Sequence, residues 1–120
     1  MAWQRFQTGD VIDLIDELIG HVTQEGRVTD WANVYVGHVR GDGAVFDYNE
    51  EQIGHVAANG NLLNWSGTLI GRLREDGHAL DPGGRDVGHV VNMSLLPAGA
   101  AAILLLVLHV IRTGSTERGK

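Results

Sequence analysis

From residue 19 to residue 90, apolar and polar positions recur in a fixed cycle of 17. The tetrad Ile19-Gly20-His21-Val22 returns as Val36-Gly37-His38-Val39, Ile53-Gly54-His55-Val56, Ile70-Gly71-Arg72-Leu73 and Val87-Gly88-His89-Val90. A second glycine keeps phase at Gly26, Gly43, Gly60 and Gly77, and an Asp or Asn follows it at Asp30, Asp47, Asn64 and Asp81. The next column reads Trp31, Tyr48, Trp65 and Pro82. Columns held in phase over repeats that start at 19, 36, 53, 70 and 87 mark a tandem array. Extending the phase backwards sets Gly9-Asp10-Val11-Ile12-Asp13-Leu14 over Gly26-Arg27-Val28-Thr29-Asp30-Trp31, so a degenerate copy is expected over residues 3–18. The stretch from residue 8 also reads as an amphipathic helix, with Asp10 as N-cap and Val11, Leu14, Ile15, Leu18 and Ile19 on one side.

The dipeptides Glu25-Gly26, Asp42-Gly43, Asn59-Gly60 and Asp76-Gly77 lie between apolar runs. Such pairs favour two-residue hairpin loops, because both loop residues need positive φ. That register places Val56 opposite Leu63, His55 opposite Asn64 and Gly54 opposite Trp65. It likewise pairs Val39 with Phe46, Leu73 with Leu80, Gly37 with Tyr48 and Gly20 with Trp31. Alternation along the strands then sorts two faces. One carries Val22, Val39, Val56, Leu73 and Val90 with Phe46, Leu63, Leu80 and the aromatics, and is predicted to be buried, each aromatic covering a cross-strand glycine. The other carries a polar ladder of His21, His38, His55, Arg72 and His89 with Asp30, Asp47, Asn64 and Asp81. With short links such as Ser66-Gly67-Thr68, the expected fold is all-β over residues 1–92: an antiparallel meander of tandem hairpin repeats, roughly ten to twelve strands, forming an open, curled or barrel-like sheet.

A different pattern follows. From Pro97 to Ile111 no residue is charged, and the apolar run extends back to Met93. As a helix, Met93–Ile111 would rise about 28 Å, close to a ~30 Å hydrocarbon core. A single transmembrane or membrane-associated helix over 93–112 is therefore predicted, with a polar basic tail over 113–120. The alternative is a buried helix covering the apolar face of the sheet. Ala98, Gly99 and Ala102 offer a small-residue surface for packing on a partner helix, and His109 sits near the charged end. Arg112, Arg118 and Lys120 place the C-terminus in the cytoplasm by the positive-inside bias.

Composition narrows the functional classes. With 120 residues there is room for one domain. Seventeen glycines and two prolines, without a triplet period, suit many tight turns. A formal charge of −6 argues against general nucleic-acid binding, since nothing would replace counterions along phosphates. The chain has no cysteine, so disulfides and thiolate chemistry are excluded. Asp10, Asp13, Asp16 and Glu17 interrupt any continuous apolar core near the N-terminus, so a cleaved signal peptide is not expected.

Candidate chemistry is sparse. The His/Asp face suggests metal binding or acid–base work, but successive histidines two strands apart would stand about 9–10 Å from one another, too far to share one ion. Cross-strand polar pairing accounts for the ladder instead. The serines at 66, 94 and 115 sit in no nucleophile motif. Arg40-Gly41-Asp42 spells an adhesion tripeptide at a hairpin tip, and Asn64-Trp65-Ser66 a glycosylation sequon; turn and ladder roles explain both. No catalytic residue, cofactor, metal or small-molecule substrate is expected.

The runs Asp47 to Val56 and Asn64 to Leu73, with Ile53-Gly54-His55-Val56 and Ile70-Gly71-Arg72-Leu73 at their ends, resemble the strand–turn–strand signature of PRC-barrel domains. These are small β-barrels of the photosynthetic reaction-centre H subunit and of a ribosome-maturation factor. The resemblance covers one repeat at a time, and this chain departs from the pattern by iterating the unit and by carrying its apolar stretch at the C-terminal side. It implies a β-module docking on a larger membrane assembly. The expectation is thus a non-enzymatic, membrane-anchored accessory or structural subunit, in a photosynthetic or respiratory complex, whose partners are other membrane-protein subunits and the lipid bilayer. The alternatives are a self-assembling surface or cytoskeletal-type protein, and a metal-binding or enzymatic module using the His/Asp face.

Overall fold

Each 17-residue copy closes two tight turns by the same hydrogen-bond pattern. At Thr23–Arg27, the Gly26 N–H donates to the Thr23 carbonyl at 2.9 Å and the Thr23 N–H to the Arg27 carbonyl at 3.0 Å, with Gly26 at φ +94°. At Asp30–Val34, the Asn33 N–H donates to the Asp30 carbonyl at 2.9 Å, with Asn33 at φ +68°. Both are three-residue loops whose third member takes the left-handed conformation, not the two-residue loops predicted at Glu25-Gly26 and its equivalents. At Gly43 and Gly60 a Cβ would run into the facing carbonyl oxygens of Val56 and Leu73, which leaves glycine as the fitting residue. The second left-handed column has room, so Asp16, Asn33 and Glu50 occupy it alongside Gly67 and Gly84.

The extra loop residue moves the register by one. Val56 pairs with Leu62, His55 with Leu63 and Gly54 with Asn64; Val39 pairs with Val45, Gly37 with Asp47, Gly20 with Asp30 and Leu73 with Ala79. The predicted buried set is corrected accordingly. Val28, Val45, Leu62 and Ala79 join Val22, Val39, Val56, Leu73 and Val90 inside, while Phe46, Leu63 and Leu80 are only half-buried.

The structure, a computed structural model, describes residues 6–109. Its strands are β1 Asp10–Ile12, β2 Leu18–Val22, β3 Arg27–Asp30, β4 Tyr35–Val39, β5 Ala44–Asp47, β6 Gln52–Val56, β7 Asn61–Asn64, β8 Leu69–Leu73, β9 His78–Leu80 and β10 Asp86–Val90. Each pairs antiparallel with its neighbour in sequence, and β1 pairs with β10 through Val11–Val90 and Ile12–His89, closing a ten-strand barrel. The stretch with competing strand and helix readings is β1 followed by the turn at 13–17.

A ten-strand barrel is wider than inward side chains alone fill. Here the lumen holds the C-terminal apolar segment, as α1 Leu95–Ala101 running directly into a π-helix, Ala102–Val107. Ala98, Ala100, Ala101, Ala102, Ile103 and Leu104 are at most 1% exposed, and the segment shares one core with the strands. The five tetrad glycines make room for it. A Cβ on Gly54 would meet Ile103, on Gly37 Leu104, on Gly20 Leu105, on Gly88 Leu106 and on Gly71 Val107. Successive residues 103 to 107 therefore address β6, β4, β2, β10 and β8 in turn, one residue per repeat around the wall. An α-helix with about 3.6 residues per turn overshoots a five-fold wall. The wider i to i+5 winding comes closer, and Leu108 N–H donates to the Ile103 carbonyl at 2.9 Å in that pattern.

The described part of the apolar stretch is thus packed against the barrel's own wall. No helix among the described residues is long and apolar enough to cross a membrane. The spanning helix predicted over 93–112 is, over its described part, a plug inside the barrel. The small residues Ala98, Gly99 and Ala102 face the chain's own wall: a Cβ on Gly99 would collide with Val56. Residues 110–112 and the basic tail 113–120 lie outside the described residues.

Candidate docking surface

The Asp/Asn column builds one end of the barrel. Asp30, Asp47, Asn64 and Asp81 each begin a turn, and each side-chain Oδ1 accepts the N–H groups two and four residues ahead: Ala32 and Val34, Asn49 and Glu51, Ser66 and Thr68, Gly83 and Arg85, all between 2.8 and 3.1 Å. Asp13 does the same for Ile15 and Glu17. These side chains satisfy loop donors that water would otherwise have to reach. The residue after each one is lifted to the turn tip. Trp31 and Trp65 therefore do not cover the glycines: they are 74% and 75% exposed, and helix side chains pack toward Gly20 and Gly54 instead.

The exposed large hydrophobics among the described residues are Leu14, Ile15, Leu18, Trp31, Trp65, Leu69 and Leu108. Every one belongs to this end. Four are in its turns, Leu18 and Leu69 open the strands that leave those turns, and Leu108 follows the π-helix where it emerges. Beside that exit lies an open hollow of about 320 Å³ walled by Leu14, Ile15, Val87 and Leu106, with Asp13 and His109 at its edge. The opposite end, where α1 enters beside Gln24, Arg40 and Ser94, carries none of these seven side chains.

Charge is divided along the same axis. The turns at 13–17 and 47–51 hold three acids each, those at 30–34 and 81–85 one each, and Arg85 is the single base, a net charge of −7. The four turns of the opposite end (23–27, 40–44, 57–61 and 74–78) sum to −1. Among the turns of the described residues, the negative charge therefore sits where the exposed apolar side chains are.

The chain matches no family model, no curated protein and no solved structure.

The polar ladder divides in the same way. His21, His38, His55, Arg72 and His89 do line the outer wall, but the one-residue register change places Asp30, Asp47, Asn64 and Asp81 opposite or beside the lumen glycines rather than the histidines. Three of the ladder histidines, His21, His38 and His89, take local partners. His21 Nδ1 lies 3.1 Å from Asp10 Oδ1. His38 stacks on Phe46 at 5.3 Å between ring centres, and its Nδ1 lies 2.6 Å from the Tyr35 hydroxyl. His89 packs against the ring of His78, which itself meets Asp86 at 2.8 Å. Tyr35 also donates to Glu50 at 3.3 Å, and its hydroxyl pKa is raised above the ordinary 10.0, first by burial and then by the Glu50 carboxylate. Among the described residues no three His, Asp or Glu side chains converge as a metal site. In the adhesion-like tripeptide, the Arg40 guanidinium lies over the Phe46 ring at 4.4 Å and Asp42 caps the Ala44 N–H, so both ends have local work. Asn64 of the sequon is occupied by Ser66 and Thr68.

The residues that form this surface escaped the sequence reading, which had assigned the aromatics to the interior. A signal was present in the runs Asp30-Trp31-Ala32-Asn33 and Asn64-Trp65-Ser66-Gly67. An Asx residue followed three places later by Asn or Gly is a turn signature, and it lifts the residue between them into solvent.

Proposed function

We propose that the chain is a non-enzymatic accessory subunit that docks on a larger assembly through the turn end of its barrel. The observation that carries this reading is the grouping of the seven exposed large hydrophobics of the described residues at one end of the barrel. Monomeric proteins scatter single apolar side chains over their surfaces, whereas a grouped apolar set with a polar rim is a feature of binding faces. Tryptophan supplies more interface energy per residue than most types, and two stand at equivalent turn tips here. His21, His38 and His89 are engaged with immediate neighbours, and the lumen is filled by the chain's own helix, which leaves no enclosed place for a substrate there. Edge-to-edge self-assembly loses its support too, since pairing of β1 with β10 leaves no free edge among the described strands.

The test is purification from the native source in mild detergent, with mass spectrometry of wild type beside the double variant Trp31→Ser, Trp65→Ser. A fixed-stoichiometry partner on the wild type that is lost from the variant, at unchanged thermal stability, is the expected result. Undiminished retention of the partner by the variant contradicts the proposal.

A further inference from the structure

Resting on the docking reading, we infer that the turn end accepts a basic amphipathic segment of a protein partner, with an apolar side chain entering the hollow at the helix exit and lysines or arginines set against the surrounding acids. The charge argument comes first. The five turns that present Leu14, Ile15, Trp31 and Trp65 carry a net −7. Several of these charges cannot swing aside, because Asp13, Asp30, Asp47 and Asp81 are pinned by two backbone N–H bonds each. Any occupant that covers the tryptophans must also lie against these carboxylates.

This selects among occupants. An anionic bilayer or a nucleic acid would meet the field with like charge. A neutral bilayer would have to take fixed carboxylates toward hydrocarbon, where charge is costly. A basic helix answers both features at once: its apolar side meets the tips and the hollow, and its cationic flanks pair with the rim and stack on exposed indole faces. The hollow combines apolar walls of Leu14, Ile15, Val87 and Leu106 with the Asp13 carboxylate and the His109 imidazole at its edge.

The probe is a synthetic 18-residue helical peptide of leucine and lysine in amphipathic order, its control the same peptide with glutamate for lysine, each titrated calorimetrically into the full chain. Vesicles of phosphatidylcholine, with and without phosphatidylglycerol, form the third arm. The lysine peptide is expected to bind at 1:1, with affinity falling about tenfold or more as salt rises from low to high ionic strength. The double reversal Glu17→Lys, Glu51→Lys should weaken it about tenfold, and Trp31→Ser with Trp65→Ser by a similar factor. The same charge change at the opposite end, Glu25→Lys with Glu75→Lys, should cost less than about threefold, because a Debye length near 8–10 Å screens it. Equal binding of the two peptides, indifference to Glu17→Lys with Glu51→Lys, or binding to phosphatidylcholine vesicles with none to the lysine peptide overturns the inference. If the native partner is lost on mutating the tryptophans but ignores the charge reversals, the docking reading stands and the basic-partner inference falls. If the tryptophan variant keeps its native partner, the docking reading itself falls.

Discussion

Leu104→Ala probes the arrangement at its most distinctive point. Leu104 is 0% exposed, sits on the π-helical turn and occupies the space that Gly37 leaves in the wall. Truncation removes transfer energy and leaves a cavity that strands on all sides are held from closing, so a cost of about 3–5 kcal/mol is expected. Small domains are stable by about 5–15 kcal/mol in all, so the variant should fold but with much of its margin gone. At roughly 4 °C or more per kcal/mol for a domain near this size, the melting temperature should fall by about 12 °C or more. Leu108→Ala, four residues on and 40% exposed, is the control and should cost less than about 1 kcal/mol. The assay is urea unfolding followed by circular dichroism, repeated by thermal scan. Were Leu104→Ala to cost no more than Leu108→Ala, the segment could not be the core of the barrel, and the reasoning would fail.

Three further outcomes follow from the turns and the outer wall. Gly43→Ala puts a Cβ into a left-handed residue (φ +95°) and against the Val56 carbonyl, so it should cost more than the ~1–2 kcal/mol of the backbone alone; Gly67→Ala, with open space around it, should cost about 1 kcal/mol in the same urea titration. Asp47→Ala strips the acceptor from the Asn49 and Glu51 amides and should destabilise by about 1–2 kcal/mol, whereas Asp47→Asn should be close to neutral because Asn64 makes the same two bonds. Because the folded state raises the pKa of Tyr35, it favours the protonated phenol. That contribution is fully present below pH about 10 and is lost as pH rises through the higher folded value, so Tyr35→Phe should flatten the alkaline fall in urea midpoint above pH about 10. An equally steep fall in the variant would refute that assignment.

The period, the hairpins and the inward valines of the even strands were legible because glycine and Asx residues punctuate the chain at fixed intervals. What misled was a single residue of register. Asp42-Gly43 and Asn59-Gly60 suit a two-residue loop and equally the last two places of a three-residue loop. The odd strands gave no warning, since Val45-Phe46, Leu62-Leu63 and Ala79-Leu80 are apolar at both faces. The lumen chose the smaller member in the first and last of these pairs, because a helix had to fit beside it. Length and lack of charge in Met93–Ile111 likewise describe a bilayer span and a barrel plug alike. The distinguishing sign was five glycines in one column, three of which the correct register sets opposite Asp30, Asp47 and Asn64 rather than opposite aromatics. The docking end went unread for the same reason as the register: once Trp31 and Trp65 are placed inside, the polar barrel has no apolar end.

The central claim is that residues 103 to 107 step around the inside of the barrel, one to each repeat. Methyl-labelled protein examined by nuclear Overhauser spectroscopy tests it most directly. Cross-peaks are expected from the Ile103, Leu104, Leu105, Leu106 and Val107 methyls to the α-protons of Gly54, Gly37, Gly20, Gly88 and Gly71 respectively. A folded sheet whose glycine α-protons show no contact with those methyls, or contacts in another order, would contradict it.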